Sequence, residues 1–249
     1  MYRINRPTYR RKNAEASTKI LFTSIVTVAL TCTFLPIGKA TVTNTDKVVA
    51  ELWHPHGDLR LVAAHRGLWG SENPLACENS IRAVDDAADN GIEMAEVDLK
   101  EMKDGTVILM HDFNLGRTTN IGYYCDTITH NPTECVGDML FDPYNNRGFN
   151  PPVNTISLHT FAKFHVLLRR KDLTVSPNWP DGPPTLDQLL QALSTSKPIV
   201  LLLDIKDRQT TKDAWRIVKN YKNSYGTPAY KWVIFKLSRY LSRSRNTRR

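Results

Sequence analysis

Apolar residues along the chain fall into short runs that alternate in character between strand and helix. Leu59–Ala64 is brief, partly alternating and stopped by the polar triplet His65-Arg66-Gly67, the pattern of a strand ending in a turn. Between Ser80 and Asn90, the residues Ile81, Val84, Ala87 and Ala88 recur at helical spacing, with Ser80 as N-cap and Gly91 as stop signal. Met94–Leu99 alternates, so Glu96 and Asp98 share one strand face and Val97 and Leu99 the other. Thr106–Met110 is a further strand, ending at His111-Asp112. Later, Thr185 caps a helix over Leu186–Leu193, Ile199–Leu203 is a nearly continuous apolar strand, Asp213–Tyr221 is a helix with Ala214, Trp215, Ile217 and Val218 inward, and Trp232–Phe235 is a strand. Strands alternating with helices at this spacing predict an α/β fold with a parallel sheet.

Polar residues at the strand ends carry the candidate chemistry. Two acids on one strand face are unexpected in a core, because burying unpaired carboxylates is costly. Asp104-Gly105 permits a tight hairpin, which would set Asp98 roughly opposite His111; a short parallel connection is the alternative. Either brings Glu96, Asp98 and His111 together. Hard carboxylate ligands favour Mg²⁺ or Ca²⁺, which would neutralise phosphoryl oxygens. Imidazoles titrate near neutral pH, so His65 and His111 can divide the roles of general base and general acid. Arg66 offers a forked donor to a phosphate. Taken singly, each histidine or acid reads as a packing residue, and Glu96 with Arg66 as a structural ion pair; taken as a set, they read as a site.

The motifs HRG (65–67), ENS (78–80), EVD (96–98), DG (104–105), HD (111–112) and RTT (117–119) occur in this order within about sixty residues. In order and spacing they resemble the glycerophosphodiester phosphodiesterases, a family of TIM-barrel-like (β/α)8 phosphodiesterases related to phosphatidylinositol phospholipase C. The resemblance covers Leu61–Asn120 and extends to Pro184–Leu237. It implies His65 and His111 as catalytic histidines, Arg66 and Lys206 as phosphate-binding residues, and Glu96 and Asp98 as metal ligands. The third acidic ligand of the family lies in a strand reading I-E-I-K. Here that strand reads Leu203-Asp204-Ile205-Lys206, so the resemblance implies ligation at Asp204, directly or through a water. Asn79 stands where some relatives have an asparagine near the metal, and we assign it to the scaffold. The implied reaction is hydrolysis of glycerophosphodiesters to glycerol 3-phosphate and an alcohol. A phospholipase-D-like hydrolase of lysophospholipid headgroups, and an inactive remnant of such an enzyme, are the alternatives.

Charge then removes one class of partner. The 249-residue chain carries a net +8, but residues 1–19 hold six cations and one acid, and residues 236–249 hold six cations and no acid. Without those two segments the remainder is −3, so the basic balance belongs to the ends and nucleic-acid binding has no compositional support. Residues 1–19 followed by the apolar stretch 20–37 and Gly38-Lys39-Ala40 read as a secretory signal peptide cleaved after Ala40, or as an uncleaved anchor associating with a membrane through residues 20–37. Export allows a disulfide between Cys125 and Cys135 across the polar loop between them; Cys77 is left over as a packing residue. Residues 41–58 read as a linker, 59–237 as the barrel and 238–249 as a basic tail. Within the barrel, Asn120–Pro184 is a proline-punctuated insertion that either overhangs the active-site mouth or decorates the surface; its His130, His159 and His165 are read as surface or packing residues. A complete barrel takes about 250 residues. Five strand signals are present, near residues 61, 94, 107, 199 and 232, which predicts an incomplete barrel in a C-terminally shortened chain.

Overall fold

The structure is a computed structural model that describes residues 44–55, 60–71, 73–131, 135, 139–176 and 182–237. Residues 1–40, read above as a signal peptide or an anchor, and residues 238–249, read as a basic tail, lie outside the described residues. Among those described, no helix is long and apolar enough to cross a membrane.

Among the described residues five strands form one sheet: β1 (Ala63–His65), β2 (Met94–Glu101), β3 (Val107–Leu109), β4 (Val200–Ile205) and β5 (Val233–Leu237). Four of them run parallel in the order β1-β2-β4-β5, and β3 pairs antiparallel with the far end of β2. The sheet is therefore an open, partial barrel wall with one antiparallel strand rather than wholly parallel. The Asp104-Gly105 turn makes a hairpin, but not one centred on that dipeptide. Met102 N–H donates to Thr106 O at 2.8 Å, leaving a three-residue loop, Lys103–Gly105, with Gly105 left-handed at φ 80°. The extra loop residue shifts the register by one: Leu99 faces Leu109, Met110 N–H donates to Asp98 O, and His111 falls one residue beyond.

One sheet face packs on helices α2 (Ile81–Asp89), α5 (Leu186–Leu193) and α6 (Arg208–Val218). Ala95, Val97, Leu99, Leu201, Leu203 and Ile205 meet Val84, Ala87, Leu189, Leu190, Leu193, Ala214 and Val218 there, all buried. Local signals fix these helices. Ser80 Oγ accepts from Ala83 N–H at 3.1 Å. Thr185 and Gln188 form a reciprocal capping box. Asp207 caps α6, accepting from Thr210 N–H at 2.7 Å. Helix α6 thus begins five residues before the expected Asp213, because its first turn, Arg208–Lys212, is polar and leaves no periodic trace. Trp215, expected inward, is half exposed and stands edge-on to Phe235.

The opposite sheet face is layered. At its lower end Met94 and Val200 pack on Val48 of α1 (Asn44–Trp53), with Leu61, Leu202 and Ile234 around them. Residues 44–53, read above as linker, are a helix that covers this end of the face; only Thr45 and Val48 are buried, too few to reveal it by pattern. The upper end of the same face is polar. Within the insertion, α3 (Cys125–Thr129) and α4 (Leu158–Phe164) contribute to a second apolar cluster that includes Ile108, Met110, Ile121, Val153, Ile156 and Phe161. Cys125 and Cys135 are joined by a disulfide, and Cys77 is buried outside it.

Gly67 shows how tightly the first turn is built. It is left-handed at φ 82°, and a Cβ there would lie 2.6 Å from Ala83 Cβ and 2.7 Å from Ala83 C. Gly67→Ala is expected to cost at least about 2 kcal/mol through backbone strain and overpacking. Urea unfolding checks it; a loss under about 0.5 kcal/mol, the surface-substitution range, contradicts the close approach.

Candidate active site

Strand alternation places the polar cluster. On β2 the inner face carries Met94, Glu96, Asp98 and Lys100 in turn, apolar at the bottom and ionisable above. Register then sets the rows. His65 pairs with Glu96, Asp98 with Asp204, and Asp204 with Lys236, all at the carboxyl ends of parallel strands. That rim is where barrel folds present their chemistry. Glu96, Asp98 and Asp204 are each 5% exposed or less, and each offers an oxygen within 4.8 Å of the others. Three hard oxygen donors at that spacing fit a divalent cation such as Mg²⁺ or Ca²⁺. The shorter aspartate at 204 still reaches the group.

The turns above the strands hold these acids. Arg66 and Asn79 are both left-handed, at φ 62° and 55°, and Asn79 N–H donates to Arg66 O at 3.0 Å. Asn79 grips Asp98 twice: its carboxamide nitrogen donates to Asp98 Oδ2 at 3.2 Å, and its Oδ1 accepts from Asp98 N–H at 2.9 Å. The asparagine assigned to the scaffold therefore orients a carboxylate of the cluster. Arg66 N–H donates to Glu96 Oε2 at 3.3 Å, while its guanidinium turns to Glu78 at 2.7 Å and, through Nε, approaches Asp98 at 3.5 Å. Its guanidinium ion pairs are thus with Glu78 and Asp98, and only its backbone meets Glu96.

Glu78, 3% exposed, joins two motifs, because its second oxygen accepts from Arg117. Arg117 in turn clasps Asp112 with two hydrogen bonds, 2.6 and 2.9 Å. Asp112 Oδ1 lies 2.7 Å from His111 Nδ1. Burial would raise the Asp112 carboxyl, but hydrogen bonds from Arg117 and His111 outweigh it and hold it below the usual value. An ionised Asp112 can only accept, so His111 Nδ1 carries the hydrogen and Nε2 is the free ring nitrogen. Arg117 shows the converse: burial lowers its proton affinity, and Asp112 and Glu78 more than restore it. The chain Arg66–Glu78–Arg117–Asp112–His111 thus runs through the HRG, ENS, RTT and HD motifs.

His65, two-thirds exposed, sets Nε2 3.9 Å from Glu96 Oε2. His111 lines a cavity of about 750 Å³ with Lys100, Asp112, Phe113, Asn114, Asn150 and Lys206. Lys206 Nζ also donates to Asp204 Oδ1 at 2.6 Å, so the cavity adjoins the acid cluster. The Lys100 ammonium is largely buried, which lowers its pKa, and lies 4.9 Å from the Phe113 ring centroid. Asn150 brings the insertion to the cavity wall.

Five residues here had no role from sequence. Lys100 had a readable signal, the alternation shared with Glu96 and Asp98. Glu78, Asp112 and Arg117 are letters of the motifs whose mutual pairing no spacing reveals. Lys236 was counted with the basic end; it lies on β5, with Nζ 2.9 Å from Asp204 and 3.3 Å from Glu96.

Comparison with known proteins places this geometry in context. Glycerophosphodiester phosphodiesterase 1 of Bos taurus is 45% identical over 64 residues, 25% of this chain and 18% of that protein. A glycerophosphoryl diester phosphodiesterase structure from Parabacteroides distasonis superposes with a TM-score of 0.51 at 17% identity, covering 78% of this chain and 52% of that one. An Oleispira antarctica phosphodiesterase, solved with the product sn-glycerol-3-phosphate, gives 0.50 at 19% identity, covering 74% and 60%. The chain thus spans less than two thirds of these relatives, and the structural likeness is one of fold. The family model described as glycerophosphoryl diester phosphodiesterase matches residues 65–232, from the first histidine of the site to the edge of β5, and the chain belongs to that family.

Proposed function

We propose that this chain hydrolyses glycerophosphodiesters to glycerol 3-phosphate and an alcohol, using a divalent cation, Mg²⁺ or Ca²⁺. The observation that carries this reading is the convergence of Glu96, Asp98 and Asp204 on one strand rim, with His65 beside Glu96 and His111 across the adjoining cavity. The Oleispira protein, bound to sn-glycerol-3-phosphate, supports the substrate class.

Glu96, Asp98 and Asp204 would hold the cation, which when bound neutralises phosphoryl oxygens. Lys100 and Lys206 make the cavity wall cationic and receive the rest of the phosphate charge. Arg66, held by Glu78, keeps a guanidinium beside Asp98. One imidazole accepts the proton of the attacking oxygen and the other protonates the leaving alcohol. For His111 the working atom is Nε2, since Asp112 occupies Nδ1. Export through residues 1–40 belongs to the same proposal.

Hydrolysis of bis(p-nitrophenyl) phosphate by the purified chain tests it. We expect EDTA to abolish turnover, added Mg²⁺ or Ca²⁺ to restore it, and His65→Ala to lower it by roughly 10²–10⁴-fold. Activity surviving both treatments points to a contaminating enzyme, and a metal-loaded, folded chain without turnover favours the inactive remnant.

A further inference from the structure

Lys236 stands in the way of the cation that the preceding reading requires. It lies in the same cross-strand row as Asp98 and Asp204. Its ammonium bridges two of the three carboxylates, at 2.9 Å from Asp204 Oδ2 and 3.3 Å from Glu96 Oε1. Among the described residues no other lysine or arginine ion-pairs with two members of the cluster; Lys206 meets Asp204 alone and Arg66 meets Asp98 alone. Lys236 and Lys206 thereby offset much of the carboxylate charge, and Arg66, shared with Glu78, adds a weaker contact at Asp98. A divalent site gains affinity from an excess of negative ligands, which these ammonium groups reduce. Lys236 is also built to leave. Its side chain is 58% exposed and ends a flexible aliphatic stem, with water directly available to the freed ammonium.

We propose that Lys236 is a tethered counter-ion, holding the cation position between Glu96 and Asp204 in the ion-free protein, so that a divalent cation enters only by displacing it. The proposal rests on the reading of these acids as a cation site. It has two consequences. The chain can fold before an ion binds, because the ammonium offsets buried carboxylates that would otherwise repel. Cation affinity is set by an exchange rather than by the acids alone. Even screened by bulk water, a unit charge about 5 Å from a divalent ion shifts its affinity on the order of tenfold.

Calorimetric titration of the full chain with Mg²⁺ provides the test, comparing wild type with Lys236→Met, Lys236→Arg and Glu96→Gln. Lys236→Met is expected to bind Mg²⁺ on the order of tenfold more tightly, and Lys236→Arg no more tightly than wild type. Without ion, Lys236→Met should unfold at a lower temperature than wild type, and saturating Mg²⁺ should restore it by binding the native state. A merely structural salt bridge would lower the unfolding temperature without raising affinity or permitting that recovery. If Lys236→Met gains no affinity while Glu96→Gln loses it, the acids hold the ion and the exchange proposal alone falls. If Glu96→Gln binds as tightly as wild type, the ion lies elsewhere, and the cation reading falls with the proposal. Should Lys236→Met fail to fold, acetylation of the wild-type chain decides the matter. Displacement predicts faster modification of Lys236, read by peptide mass spectrometry, when Mg²⁺ is added; an unchanged rate overturns it.

Discussion

A Glu78→Ala chain is expected to lose about 3 kcal/mol of folding stability, the lower end for removing one member of a buried ion pair. The carboxylate is almost wholly buried and is shared between Arg66 and Arg117. Deleting it brings two guanidinium groups together with nothing between them. Each keeps one other acid, Asp98 for Arg66 and Asp112 for Arg117, which is why the loss stays at the lower end. Turnover should fall as well, since Arg117 positions Asp112 and Asp112 orients His111. Glu78→Gln, which keeps the volume and one acceptor oxygen, should lose less. Urea unfolding at neutral pH measures both; a Glu78→Ala midpoint within experimental error of wild type would show that the two arginines do not depend on it.

The second large effect is on catalysis with the fold preserved. Glu96→Gln is expected to reduce turnover on a phosphodiester by about 10³-fold, because charge stabilisation by a bound cation contributes several kcal/mol and each 1.36 kcal/mol is tenfold. Glutamine keeps the length of the side chain and an oxygen acceptor for Arg66 N–H. It removes the negative charge that faces both Lys236 and His65. A loss this large with an unchanged circular dichroism spectrum locates the effect at the site. A loss under tenfold would mean that Glu96 neither grips an ion nor steadies His65, and the hydrolytic reading would rest on the remaining acids alone.

Much of this architecture was legible in the residues. Alternation in Met94–Leu99 assigned Val97 and Leu99 to one face and Glu96 and Asp98 to the other, and the helices do pack on the first pair. Ser80 and Thr185 announced their helices because their caps are local, made within three residues. What stayed hidden depends on contacts distant in sequence or on faint patterns. Helix α1 buries only two side chains, so residues 44–53 looked like linker. Helix α6 starts on a polar turn fixed by Asp207, an acid with no apolar neighbour to mark it. The hairpin slipped by one residue because loop length, not the Asp-Gly pair, sets register. Lys236 was hidden by charge counting, which pooled it with the arginines that follow, although position two beyond Ile234 already put it on the inner face of β5. Glu78 pairs with arginines twelve residues before it and thirty-nine after it, beyond any local window.

The register between β2 and β4 has one more implication. Leu203 enters the hydrophobic interior and Asp204 the rim because adjacent residues of a strand point to opposite sides. Slipping β4 by a single position would lodge a carboxylate among the helices and turn a leucine toward the acids. Packing therefore proofreads chemistry: the burial that rejects a one-residue slip also keeps Asp204 level with Asp98 on the reactive rim.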